Sequence, residues 1–523
     1  MQPKNIDFNF DDLFVLDMAN NHQGSLMHGK QIIREHAKII KRNGVRAGIK
    51  FQFRNLPEFV HKNEREASEN KHVPRFLSTM LSWDEFKALE NEVKQCGLIS
   101  ICTPFDETSV DRIVEIGFDV IKVASCSARD WPLLEKIVDT GLPVIASTGG
   151  LSISEIDALV SFFNHRACTF ALMHCVSIYP TPDEACNLRN ISTFKKRYPE
   201  VTIGWSTHEL PDEGLHVGLA TALGARMQER HIGLETDEIK LNKYSSTPEQ
   251  CDVWLQAYDK ASLILGSYGR ENVLEEETAA LDSLKRGVFL RNSVEDGELI
   301  SRSDVYFAFP YREGQVSSSE FRSGGVITQA ISGDDPIMLS DFQPVLAPTY
   351  HLEQILKSAI HEVKGMLAVA GINLSHEFQT EYSHHYGIEN FRKVGAVLIT
   401  VINRAYAKKI IVLLPGQRHP LHMHKLKEET FIVIDGSMKI SLDDREHQLF
   451  PGDQLTVPPG VWHRFDAQSG VIFEEISTTA FKDDSYYKDQ NVSSLSSQQR
   501  KTVVDHWGRF QINEQLESAE ITG

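Results

Sequence analysis

The chain has 523 residues, too long for one ordinary domain and enough for about two to four. With 41% hydrophobic and 24% charged residues it has the composition of a soluble globular protein. Asp plus Glu number 72 against 54 Lys plus Arg, a formal net charge of −18, which excludes a nucleic-acid binder built on a basic face. The same balance leaves room for an anionic small ligand held by a few well-placed lysines.

The opening residues are acidic where a secretory signal needs a basic end, and no run approaches the roughly 18 apolar residues of a membrane span. The seven cysteines form no CxxC pair and no disulfide framework. A cytoplasmic protein that spans no membrane is expected.

Residues 12–235 repeat one theme, a short apolar run followed by a turn and a longer amphipathic stretch. The runs are 13–19, 47–53, 98–105, 119–125, 143–148, 169–177, 201–206 and 226–233. Eight runs separated by helix-length segments read as an α/β chain with a (β/α)8 barrel, a doubly wound sheet being the alternative. The domain is taken as 1–280, its end helical. From 284 to 342 short extended runs punctuated by Gly, Asp and Pro read as a small β-rich domain, and 343–383 as a helical linker. Residues 384–480 carry several short strands with Gly/Pro turns, the pattern of a small double-sheet barrel, and 481–523 form a polar, peripheral tail.

Each apolar run of the barrel ends in polar residues, and in a barrel those ends share one face. The ends supply Asp17, Lys50, Gln52, Thr103, Lys122, Ser125, Ser147, Ser177, Tyr179, Ser206, His208, Glu229 and His231. Two lysines among hydroxyls suit a phosphate or carboxylate. His208 and His231, on adjacent strand ends, can converge on one divalent ion able to polarise a carbonyl. A lysine at a strand end is more often merely solvated or salt-bridged, and His174 is as readily a packed, hydrogen-bonded histidine; the case rests on eight polar ends together.

In the carboxy-terminal part the spacing is tighter. His422 and His424 stand two apart, so in a strand both point to one face. Glu429 and His463 on neighbouring strands complete a His3Glu set for Mn, Fe, Ni or Zn.

The motifs NHQG, KFQ, TPFD, IKVAS, STGG, YPTP, GWSTH and ERH occur in this order, and the chain over about 12–340 resembles the N-acetylneuraminate (sialic acid) synthase family. The resemblance implies a TIM barrel followed by an antifreeze-like (SAF) domain, and condensation of phosphoenolpyruvate with an N-acylated amino sugar with release of phosphate. It implies that Lys50, Lys122, Ser125, Ser147, Ser177 and Ser206 hold phosphoenolpyruvate, that Gln52 and Tyr179 face the sugar, and that His208 and His231 bind Mn2+ or Mg2+. Asp17 stands where the family has a catalytic Glu and is the first choice for the catalytic carboxylate, with Glu229 the second. Ser177 stands where Asn is commoner. The family's GPD element is replaced, with Asn242, Lys243 and Tyr244 as candidate substitutes. A homodimer is implied, with Arg312 or Arg322 reaching the neighbour's sugar. The carboxy-terminal pattern resembles a cupin, in particular the cupin-type sugar isomerases, which implies that the domain binds or isomerises a sugar. The alternatives are a Schiff-base aldolase or lyase using Lys50 or Lys122, and a non-catalytic sugar-binding or scaffold protein.

Overall fold

A computed structural model describes residues 7–66, 68–211, 214–267, 273–321, 324–345, 348–374, 378–443, 445–481, 484–504 and 507. The chain divides into two compact units, Met1–Arg270 and Glu271–Gly523. Among the described residues no helix is long and apolar enough to cross a membrane.

In the first unit eight parallel strands close in sequence order into a barrel: β1 (Leu13–Asp17), β2 (Arg46–Phe53), β3 (Ile99–Pro104), β4 (Val120–Val123), β5 (Val144–Ser147), β6 (Phe170–Cys175), β7 (Thr202–Thr207) and β8 (Met227–His231). All eight coincide with the apolar runs of the sequence, and the register closes with Asp17 beside both Lys50 and His231. The doubly wound alternative is thereby excluded. Helices between the strands start where the sequence supplies caps: the pairs Ser82/Glu85, Ser152/Glu155 and Thr247/Gln250 each satisfy two free amides at a helix start.

Strand alternation sorts the side chains into two cores. Phe14, Leu16, Ile49, Phe51, Phe53, Cys102, Ile121, Val144, Leu172 and Trp205 face outward and pack under the helices. Leu13, Val15, Ile101, Val120, Ile145, Ala171, Met173 and Met227 fill the barrel's inside. Gly48 belongs to that inner layer, where a Cβ would lie 2.8 Å from the Ile101 side chain and from the Ile99 carbonyl.

In the second unit a helix at Glu275–Asp282 precedes short strands β9 (Gly287–Leu290), β10 (Leu299–Ile300), β11 (Val305–Ala308), β12 (Gly325–Ile327) and β13 (Phe342–Pro344), around a core that includes Val288, Leu290, Val305, Phe321 and Phe342. A helix spans Pro348–Val369. Then follow β14 (Gln379–Ser383), β15 (Ala396–Asn403), β16 (Tyr406–Leu413), β17 (His422–Met423), β18 (Glu429–Gly436), β19 (Met438–Leu442), β20 (Arg445–Leu449), β21 (Gln454–Val457), β22 (His463–Asp466), β23 (Val471–Thr478), β24 (Tyr486–Tyr487) and β25 (Lys501–Val504). They form a seven-stranded sheet, β21-β18-β23-β16-β15-β14-β25, and a five-stranded sheet, β20-β19-β22-β17-β24.

Two boundaries differ from expectation. The larger sheet takes β14 from the segment read as helical linker, so only 348–369 of that segment is helix. The segment read as a peripheral tail supplies β24 and β25, because both pair with strand edges that would otherwise be bare. The helix at 348–369 packs Leu356, Ile360, Val363 and Leu367 with Val397, Ile399, Val412 and Ile472 on the outward face of the larger sheet. Each such aliphatic side chain contributes about 1.5–3 kcal/mol on burial.

Candidate functional site

The inner face of the barrel changes from apolar to polar within one strand step. Above Val15, Ile101, Val120, Ile145, Met173 and Met227 come Asp17, Thr103, Lys122, Ser147, Cys175 and Glu229, two residues further along each strand. Lys50 and Ser206 complete the layer, and all eight are buried. The site is thus the continuation of the core pattern with the chemistry switched.

Glu229 is at its centre, one carboxylate oxygen accepting from Lys50 Nζ and the other from Lys122 Nζ. Lys50 also reaches Asp17 Oδ2 at 2.9 Å. Burial works to lower Lys50, but Asp17 and Glu229 outweigh it and hold the ammonium above its usual range. Lys122 shares one carboxylate and lies near a second cation, so burial prevails and pushes it down. Burial would raise Glu229, yet the two lysines hold it well below the usual carboxylate range. This carboxylate is committed to the lysines, which makes it a charge-balancing group; of the two candidate carboxylates, Asp17 touches the histidine.

Asp17 Oδ2 lies 3.3 Å from His231 Nδ1 and 3.4 Å from Gln52 Nε2, and Oδ1 accepts from the Ala19 amide at 2.9 Å. His208 sets its Nδ1 against the Val176 carbonyl at 2.9 Å. In both histidines Nδ1 is engaged, so Nε2 is the nitrogen left for a ligand, the usual arrangement of a histidine that holds a metal. The two rings stand 5.3 Å apart between centroids. Tyr179 packs on His208 at 4.2 Å and Tyr244 on His231 at 5.2 Å, walling the pair.

Ser125 Oγ accepts from the Gly149 amide at 3.0 Å. A Cβ at Gly149 would come within 2.7 Å of that oxygen and collide with Ser177 Oγ, so glycine here lets the two hydroxyls converge. Thr103 Oγ1 is buried with no hydrogen-bond partner among the described residues. Of the GPD substitutes only Tyr244 stands at the mouth; Asn242 Oδ1 accepts from the Tyr244 amide at 3.2 Å and shapes the turn, and Lys243 is exposed. His174 points outward, its Nε2 2.9 Å from the Cys186 carbonyl and its ring on Trp205, so it is a packed, hydrogen-bonded histidine. Cys175, 3.7 Å from Ser125 Oγ and 4.0 Å from His208 Nδ1, also belongs to the site, although a cysteine in an apolar run of the sequence reads as core. A roomier cleft of about 440 Å³, lined by Phe10, Phe170 and Thr202, is at the strands' amino-terminal end, away from these groups.

The carboxy-terminal double sheet repeats the device. Its inner core of Ile411, Phe431, Phe465 and Phe473 gives way, two residues along the same strands, to Lys409, Glu429, His463 and Glu475. One ligand atom from each of His422, His424, Glu429 and His463 lies within 4.8 Å of the others, and all four residues are buried. The three imidazoles each place Nδ1 on a backbone carbonyl: Pro420 at 3.0 Å, Asp484 at 2.6 Å and Val461 at 3.1 Å. That turns every Nε2 inward. Glu429 Oε2 and His463 Nε2 lie 3.1 Å apart, buried, and form no hydrogen bond there or elsewhere among the described residues. Two facing acceptors are what a cation satisfies, so the residues fit a divalent metal. Lys427 pairs with Glu429 and, at 3.0 Å, with Glu475. The cavity beside the ligands, about 280 Å³, is lined by Lys409, Lys427, Glu475 and Tyr487 among others.

The fold is a closed (β/α)8 barrel whose strand ends carry paired lysines, hydroxyls and two histidines, followed in the chain by a double-sheet cupin domain with a His3Glu set. The family is specific. Residues 38–269 match the NeuB family and residues 409–474 the cupin domain. A crystal structure described as a candidate spore coat polysaccharide biosynthesis protein E of Chromobacterium violaceum is 42% identical, with a TM-score of 0.61; the match covers 64% of this chain and 99% of that one. The N-acetylneuraminate-9-phosphate synthase of Mus musculus is 29% identical over 62% of this chain and 90% of its own. The N,N'-diacetyllegionaminic acid synthase of Legionella pneumophila is 27% identical over 57% and 85%. The chain belongs to the NeuB family, the sialic acid synthase homologues, and carries a cupin domain at its carboxy-terminal end.

Proposed function

We propose that the barrel condenses phosphoenolpyruvate with the open-chain aldehyde of an N-acylated amino sugar, giving a nonulosonic acid and phosphate. The observation that carries this reading is the Asp17–Lys50–Glu229–Lys122 cluster beside His208 and His231. Lys50 and Lys122, with Ser125, Ser147, Ser177 and Ser206 around them, bind the anionic substrate and hold its carbon 3 toward the acceptor. His208 and His231 would hold a divalent ion, Mn2+ or Mg2+, whose contribution when bound is to polarise the acceptor's carbonyl oxygen. Asp17 orients His231 through Nδ1 and is placed to take a proton from the water that adds at carbon 2, after which phosphate leaves with cleavage of the carbon–oxygen bond. Gln52 and Tyr179 face the sugar. The ammonium of Lys50, held by two carboxylates, is a poor amine for a Schiff base, which weighs against Lys50 in the aldolase alternative; Lys122, pushed down by burial, is the lysine that alternative would use.

The cupin is proposed to hold Mn, Fe, Ni or Zn at His422, His424, Glu429 and His463, and to bind a sugar in the adjoining polar cavity, with isomerisation as the activity to assay. The 284–342 region is read as SAF-like and the assembly as a homodimer, with exposed Arg312 as the candidate to reach a second copy; Arg322 lies outside the described residues. The deciding experiment is phosphate release from phosphoenolpyruvate across N-acetyl and di-N-acetyl hexoses, with mass spectrometry of the product. A metal-dependent product heavier than the acceptor by the enolpyruvate-derived carbons supports the synthase. A borohydride-trapped adduct with metal-independent turnover supports the aldolase, and binding without phosphate release across the panel supports the sugar-binding protein.

A further inference from the structure

The cupin cavity holds more charge than its four candidate metal ligands account for. Among the described residues that line it, Lys409, Lys427 and Lys501 stand with Glu381, Glu429 and Glu475, three ammonium groups against three carboxylates. The imidazoles of His419, His422 and His424 are buried and enter the count as neutral, the form in which a histidine binds a metal. The wall is balanced as it stands, and carries two positive charges in excess once His422, His424, Glu429 and His463 hold a divalent ion. A buried excess of that size is costly unless the occupant of the cavity offsets it.

The three lysines are not equally paired. Lys501 has Glu381 at 2.7 Å, and Lys427 has Glu429 and, at 3.0 Å, Glu475. Lys409 has one ion pair among the described residues, to Glu475 Oε1 at 3.7 Å. That oxygen already accepts from Lys427 Nζ and, at 3.3 Å, from Ser477 Oγ. Lys409 is thus the cation of the wall with charge to spare. It stands in a row: the sheet pairs Gln379 with Thr400, Thr400 with Lys409 and Lys409 with Glu475, and all four residues line the cavity. The amide, hydroxyl and ammonium of the first three place donors at one level on one face of β14, β15 and β16. Such a row suits a carboxylate, because hydrogen bonds to an ionised acceptor are about twice as strong as neutral ones. The contacts Glu429–Lys427–Glu475–Lys409 separate the row from the metal ligands, so a carboxylate here is distinct from the oxygens held at the metal.

We infer that the cupin cavity takes a sugar acid, whose hydroxyl or carbonyl oxygens meet the metal ligands' ion and whose carboxylate lies on Lys409, Thr400 and Gln379. The nonulosonic acid proposed as the barrel's product belongs to this class, and a neutral aldose does not. The inference rests on the reading of the cupin as a metal-dependent sugar-binding domain, and the test separates the two. Calorimetric titration of the full chain loaded with Mn2+ would use acid and neutral partners of one skeleton: glucuronate against glucose, and N-acetylneuraminate against its methyl ester. Wild type, K409M, K409R and H463A are compared. The wild type is expected to bind at least one acid tenfold or more tightly than its neutral partner, and H463A to lose that binding, which assigns it to the cupin. K409M is expected to reduce the preference below about threefold with the neutral partner's affinity unchanged, and K409R, which keeps the charge, to retain most of it. A wild type that binds the neutral partners as tightly as the acids overturns the inference and leaves the sugar-binding cupin standing. No binding sensitive to H463A, with either kind of sugar, removes both. A preference that stays above threefold in K409M also overturns the inference, since the metal alone would then recruit the carboxylate. So does a K409M that weakens acid and neutral partners by the same factor, the outcome for a lysine that only braces Glu475. If K409M does not fold, K409Q, which keeps a polar end, decides by the same criteria.

Discussion

Replacing Glu229 by Gln probes the centre of the barrel most directly. The carboxylate is buried and each of its oxygens faces a buried ammonium, so E229Q keeps the shape and removes the charge between Lys50 and Lys122. Lys50 retains Asp17 at 2.9 Å, whereas Lys122 loses the carboxylate that offsets its burial. Removing one partner from a buried ion pair costs about 3–5 kcal/mol. With two cations affected and one partly rescued, the loss at pH 7 is expected within that range. For a unit of this size that is a fall in the melting midpoint of roughly 6–20 °C.

The pH dependence has a definite sign. In the wild type Lys50 is held above its unfolded value, so its stabilisation is fully present below about pH 10.4 and is lost as pH rises through the folded value. In E229Q Lys122 is depressed further, so between its folded and unfolded values the unfolded state binds more protons and stability rises with pH. The gap between variant and wild type therefore narrows from pH 7 to pH 9.5. Denaturant unfolding at both pH values, followed by tryptophan fluorescence, measures it. An E229Q protein within 1 kcal/mol of wild type at pH 7, or a gap that widens with pH, would refute the charge-balance account.

Three further outcomes follow from the geometry. His208→Ala removes a ring whose Nδ1 is fixed by the Val176 carbonyl, and is expected to lower kcat about 10³-fold or more while leaving the melting midpoint within about 3 °C; retained phosphate release would exclude His208 as a metal-holding residue. Asp17→Glu moves the carboxylate about 1 Å, against contacts of 2.9 Å to Lys50 and 3.3 Å to His231, and is expected to cost about 10–100-fold in kcat. A faster D17E enzyme would show that the shorter carboxylate is no adaptation of this site. In the cupin, His463→Ala is expected to abolish one equivalent of bound divalent metal by elemental analysis, and chelation of the wild type to lower its melting midpoint, because binding at 100 times Kd contributes about 2.7 kcal/mol. Equal metal content in wild type and H463A would remove His463 from the ligand set.

What the sequence makes legible tracks what each segment buries. All eight barrel strands are apolar runs because one face fills the barrel and the other packs under helices, and both faces leave a mark. The strand β24 has two residues and carries no alternation, and Arg445–Leu449 is polar up to its last residue, so neither segment announces a strand. The four cupin ligands are legible from spacing alone, because His-x-His on an extended segment fixes a common face. Glu475 was open to the same logic: Phe473-x-Glu475-x-Ser477 points its alternate residues inward while Ile476 is exposed. Tyr244 is a candidate by resemblance alone, since it stands past a strand end where direction is set by the turn and by neighbours distant in sequence.

The two centres, far apart in the chain, share one electrostatic form. Glu229 lies between Lys50 and Lys122; Glu475 lies between Lys427 and Lys409, with Glu429 against Lys427. Such buried networks are poor sources of stability, because desolvation consumes most of the Coulomb gain and apolar residues of equal volume would serve the core as well. Each occurs one strand step above an apolar layer. On the proposed reading their use is to bind ligands. A cluster in which lysine and carboxylate charges nearly cancel keeps two lysines folded and oriented before an anion arrives, and the anion then competes with a carboxylate already in place. On the proposed reading, a net charge of −18 is therefore no bar to an anionic substrate: the field it would meet is set by Lys50, Lys122 and the two carboxylates paired with them within a few ångströms, where solvent and salt screen little, and the distant surface carboxylates are screened.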